Sequence, residues 1–147
     1  MMRKLALAIF FGFLACVMIN GQTPKAEKLD MFGVVSCDDY LARLDYLVTA
    51  ARKNPSAQIY IILYEGRDGF GLPPFGQITA RIESMKKRLR MEGANLSHFI
   101  FVAGGIRKVA TVESWIVPPG AESPKPSPTE RQIRHRLSKP SGFCLLM

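Results

Sequence analysis

Apolar residues change period along this chain, and each period predicts an element. Leu41, Leu44, Val48 and Ala51 recur at i, i+3, i+7 and i+10, joined by Tyr40 and Leu47, which draws one apolar stripe along a helix. Ser36 stands where an N-cap belongs. Asp38 and Asp39 fall in the first turn, where the helix dipole favours carboxylates, and Arg52 and Lys53 suit the last turn. Asn54-Pro55 stops the helix, because a residue before proline is pushed out of the helical region. Residues 58–65 (QIYIILYE) are almost continuously apolar and aromatic, the composition of a central strand covered on both faces. A second helix is expected over 77–92, with Ile78, Ile82, Met85 and Leu89 in register and Gly93 just past its end. Residues 98–103 (HFIFVA) and 109–117 (VATVESWIV) read as two further strands, the last closed by Pro118-Pro119-Gly120. Residues 31–35, weakened by Gly33, read as a short first strand.

The order is therefore β-α-β-α-β-β across a domain placed at 31–120. Right-handed crossovers set both helices on one face of a mixed sheet, which is an α+β fold, a two-layer α/β sandwich. A Gly/Pro-rich loop, 66–76 (GRDGFGLPPFG), follows the carboxyl end of the central strand, where ligand loops concentrate in such folds. Residues 22–30 form a polar lead. From Ala121 the composition turns to proline, serine and charge without apolar spacing, so 121–147 is expected to be a basic, disordered tail.

The first residues bear on compartment. Arg3 and Lys4 precede an apolar, uncharged run over 5–19, too short to span a bilayer comfortably, and Asn20, Gly21 and Gln22 follow. This pattern predicts a signal peptide, 1–21, cut after Gly21. The alternatives are a lipoprotein signal acylated at Cys16 and an uncleaved anchor. All three export the chain, so a periplasmic or secreted protein is expected, meeting a membrane only through its signal or a lipid anchor. Removing the segment lowers the net charge from +8 to +6, too little to imply nucleic acid as a partner. Cleavage would also leave two cysteines, Cys37 and Cys144, which either pair or stay as free or intermolecular thiols.

Candidate chemistry is sparse. His98 and His135 are the only histidines, and neither has the neighbours of a catalytic triad or a metal site. Asp38 and Asp39 diverge by about 100° on a helix, so capping explains them better than paired acid/base work. Gly69-Phe70-Gly71 and Gly104-Gly105 are too short to cradle a phosphate. Lys86, Lys87, Arg88 and Arg90 read as a solvated helix face. No metal, no cofactor and no enzymatic reaction are expected.

The amphipathic helix (YLARLDYLVTAARKNP), the aliphatic strand (AQIYIILYEGRDG), the following loop and helix, the strand closing on FIFVAGG and the final VESWIV strand together resemble the OmpA-like domain of bacterial envelope proteins. The resemblance covers about 31–117. It implies binding of peptidoglycan, with an aspartate in a turn after the central strand and an arginine at the start of the next helix gripping the diaminopimelate of the stem peptide. The matching positions are Asp68 and Arg81. A zwitterionic amino-acid end needs an anion for its ammonium and a guanidinium for its carboxylate, and this pair would supply both. The turn is one residue short and lacks the family's threonine, Pro73-Pro74 stand in the loop, and the Asn-Arg-Arg before the last strand is absent. Two readings follow: an exported domain attaching to peptidoglycan, or a degenerate OmpA-like module acting as a periplasmic protein-interaction or structural domain without peptidoglycan binding.

Overall fold

The computed structural model describes residues 23–67 and 78–130. The expected signal segment with Cys16, the loop bearing Asp68, Phe70 and Phe75, and residues 131–147 with His135 and Cys144 lie outside them. The described chain forms β1 (Glu27–Phe32), α1 (Cys37–Lys53), β2 (Gln58–Gly66), α2 (Ile78–Met91), a single 3-10 turn (Leu96–His98), β3 (Phe99–Arg107) and β4 (Thr111–Val117). This is the expected α+β order, with four strands in one mixed sheet arranged β1-β4-β2-β3. Strand β2 is interior, parallel to β3 and antiparallel to β4, and β1 closes one edge against β4.

Helix α1 begins and ends as its residues dictate. The Ser36 hydroxyl accepts the Asp39 N–H at 3.2 Å, and Asn54 turns the chain out, its side-chain amide donating to the Ala50 carbonyl at 2.9 Å. Helix α2 ends on Gly93 at φ 73°, where the Gly93 and Ala94 N–H groups reach back to the Arg90 and Leu89 carbonyls in a glycine-dependent C-cap. Both helices lie on the same face of the sheet. Leu44, Leu47 and Val48 of α1 and Met85 and Leu89 of α2 close over Ile59, Ile61 and Leu63 of β2, with Phe32, Phe99 and Val112 from the other strands completing the core.

Two expectations need correction. The first strand lies at Glu27–Phe32 rather than 31–35, so the supposed polar lead is half strand. Its polarity is that of an edge: Asp30 pairs with Arg43 at 2.6 Å and Lys28 with Glu113 at 3.2 Å, while Gly33 ends the ladder against the Ala110 carbonyl. Second, the segment expected as a disordered tail from Ala121 is laid against the domain as far as Glu130. After the turn at Gly120 it crosses the sheet face opposite the helices and reaches β3, where the Thr129 and Glu130 N–H groups donate to the Ile106 carbonyl at 3.0 and 3.1 Å. The fold thus has helices on one side of the sheet and an extended covering segment on the other.

Candidate functional site

Of the two expected site residues, the structure places one. Arg81 sits in the first turn of α2, half-buried, beside the carboxyl end of β2. Asp68 lies outside the described residues, so their mutual approach stays an expectation. Around Arg81 the described elements bring two groups that sequence reasoning left aside. Glu65, next to last in β2, shares the odd-numbered, helix-covered face of that strand with Ile61 and Leu63, and its Oε1 accepts the Ile78 N–H at 3.2 Å, which anchors the start of α2. Tyr40, from the first turn of α1, packs edge-on to Phe32 with ring centroids 6.2 Å apart.

Charge at this corner is set by burial. Desolvation is the main influence on Arg81 and lowers its pKa, with Tyr40 and Glu65 acting in the opposite direction. Burial likewise pushes the Tyr40 phenol up to about 12, against a smaller lowering by the Arg81 charge, so Tyr40 stays a neutral hydroxyl at physiological pH. Among the described residues Arg81 makes no hydrogen bond or ion pair. A guanidinium is a planar fork that can grip a carboxylate or a phosphate with two parallel hydrogen bonds. Glu65 could have been noticed from sequence as a carboxylate ending an otherwise apolar strand, but it was absorbed into the strand pattern.

A second polar cluster lies on the opposite face of the sheet. Glu113, 5% exposed, accepts from Lys28 Nζ at 3.2 Å and from Arg107 Nη2 at 3.1 Å, and the Tyr64 hydroxyl lies 3.4 Å from its other oxygen. Burial works to raise the Glu113 pKa, but the hydrogen bonds and charges of Lys28 and Arg107 outweigh it and hold the carboxyl below its ordinary value. The Arg107 guanidinium stacks over the Tyr64 ring at 3.5 Å, and Lys28 over Trp115 at 4.8 Å. The cluster also holds the covering segment. Arg107 donates to the Ser127 carbonyl and, at 2.7 Å, to its Oγ, while the Ser127 N–H donates to the Tyr64 hydroxyl at 3.0 Å.

His98, expected to open the strand over 98–103, lies instead in the 3-10 turn just before it and borders a cavity of about 180 Å³ with Arg52, Pro55 and Phe99. Arg52 is occupied there, donating to the Glu92 carbonyl at 3.1 Å. Among the described residues no three His, Cys, Asp or Glu side chains converge as a metal site requires. Cys37 is disulfide-bonded, and both other cysteines lie outside the described residues.

No family model, no curated protein and no solved structure matches this chain.

Proposed function

We infer that the protein is an exported cell-envelope binding domain, without catalytic activity, that holds the zwitterionic end of a peptidoglycan stem peptide at the corner built by Arg81 and the residues following β2. The observation that carries this reading is the half-buried Arg81 guanidinium, which has no ion-pair partner among the described residues. A ligand carboxylate would complete it, and Asp68 would offer an anion to the ligand's ammonium. The β-α-β-α-β-β order and the shared-face packing of both helices agree with the OmpA-like resemblance. In this reading the partner is the wall polymer rather than nucleic acid.

Calorimetric titration with a diaminopimelate-containing stem pentapeptide tests it. The wild type should give saturable heat, and Arg81→Ala should weaken binding by at least about tenfold, the loss expected for a charge-assisted hydrogen-bonded pair. Asp68→Ala should do the same, and the wild type should sediment with purified sacculi. Absent heat in the wild type, or wild-type affinity retained in both variants, would reject the site. The alternative, a degenerate module serving a periplasmic protein, is favoured by the polar cluster on the other face, which is built around a peptide segment rather than a small ligand.

A further inference from the structure

Ile62 and Tyr64 face away from the helices, yet neither exposes any surface, because their side of the sheet is roofed by the chain's own residues 118–130. That roof differs in kind from the helical layer. Five of its residues are proline (Pro118, Pro119, Pro124, Pro126 and Pro128), so it has few amide donors to give and stays extended. From Ser123 onward most of its side chains remain exposed, and among the described residues Lys125 pairs only with Glu122, three positions earlier. Its grip is a short series of specific contacts. The Ser123 hydroxyl donates to the Tyr60 hydroxyl at 2.8 Å, Ser127 is held by Tyr64 and Arg107, the amides of Thr129 and Glu130 meet the Ile106 carbonyl, and the Glu130 carboxylate meets Arg67 at 2.7 Å. Gly105, at φ 93°, leaves room for Pro128, which lies 3.0 Å from where a Cβ would stand.

An aromatic surface receiving a proline-spaced, extended segment is a recurring mode of peptide recognition, since such a segment loses little entropy on binding. We propose that the sheet face bearing Tyr60, Tyr64 and Arg107 is a peptide-recognition surface that this chain fills with its own residues 121–130, and that it accepts in exchange a proline-spaced segment of a partner protein. The contacts define the partner's chemistry: an extended chain with alternate prolines, a serine read through its N–H and hydroxyl by Tyr64 and Arg107, and a carboxylate three residues later for Arg67. Opening the face exposes Ile62 and two tyrosines, so the partner must bring equal cover, and a small ligand would not suffice. The surface is separate from the Arg81 corner, which lies on the helix side of the sheet.

The test uses the full chain and a synthetic peptide of residues 121–130 (AESPKPSPTE). In the wild type, covalent attachment holds the segment at an effective concentration on the order of millimolar, so the free peptide at about 100 μM should not displace it. The double variant Ser127→Pro with Glu130→Ala weakens the attached segment and leaves the face intact. It should keep its far-UV circular dichroism, expose the Ile106 region to faster amide exchange, and bind the free peptide saturably, with exchange slowing again on binding. Adding Tyr64→Phe, or using a peptide with Ser127→Pro, should weaken that binding by about tenfold or more, the loss of one or two hydrogen bonds. If the double variant unfolds, residues 118–130 are an obligatory layer and the proposal falls. It falls equally if the variant stays folded and binds no peptide, or binds both peptides alike.

Discussion

A methyl group at position 104 would have nowhere to go. Its carbon would stand 2.5 Å from a Tyr64 ring carbon and 2.8 Å from Ile62 Cγ2. The ring cannot retreat, because Arg107 stacks on it, Ser127 donates to its hydroxyl and no part of it reaches solvent. Gly104 is the extra residue of a bulge: Leu63 pairs with Ala103 and Tyr64 with Gly105, which skips position 104 and lets Gly105 take its positive φ. In sequence the Gly104-Gly105 pair reads as the end of a strand. In the structure β3 runs through it to Arg107, and the bulge is what aims Arg107 at Tyr64 and Glu113. Gly104→Ala should therefore destabilise the domain by about 1–3 kcal/mol, the usual cost of overpacking a filled site. A urea melt measures this, and an unchanged midpoint would mean that the Tyr64 ring can move aside.

Among the elements, those that bury one regular stripe were legible and those held by polar contacts were not. Helix α1 follows from the spacing of Leu41, Leu44, Val48 and Ala51, and from Ser36, whose hydroxyl caps it as expected. Ser36→Ala should lower stability by about 1 kcal/mol, the ordinary worth of such a cap, as read from a thermal or urea midpoint. A loss of under a few tenths of a kcal/mol would show that water serves the orphan amides equally well. Strand β1 was misplaced because its stabilising side chains are Lys28 and Asp30, whose partners Glu113 and Arg43 are distant in sequence. The covering segment was missed for the same reason: prolines and serines have no apolar period, and their counterparts are hydroxyls on β2 and a guanidinium on β3. One signal did point to it. A strand as apolar as IYIILY needs cover on both faces, and two helices on one face leave the other bare. At the site, Arg81 was legible as a helix-start arginine, whereas the roles of Glu65 and Tyr40 depend on α1 and α2 converging at the end of β2.

On the scale of the whole molecule, the two sides of the sheet are held differently, by dispersion and apolar burial beneath the helices and by a charged network beneath residues 118–130. Glu113 is the centre of that network, since it joins β4 to Lys28 on the edge strand β1 and to Arg107 on β3, which in turn binds Ser127. Its folded pKa is lowered despite burial, so the unfolded chain takes up its proton more readily than the folded one. The linked stability is then present above the ordinary carboxylate value of 4.5 and is lost as pH falls below it through the folded value. Glu113→Gln removes this dependence and leaves Arg107, only 15% exposed, without its counter-charge. The variant should be less stable at pH 7 by about 2–3 kcal/mol, below the figure for a fully buried pair because Lys28 keeps access to water. Its stability should also fall less steeply than the wild type's below pH 4.5 when urea melts are repeated from pH 7 to pH 3. Carboxylates such as Glu83 and Glu122 contribute equally to both proteins and drop out of the difference. Parallel pH profiles would place the acid sensitivity in other carboxylates and remove Glu113 as the group that ties β1, β4 and β3 together beneath residues 118–130.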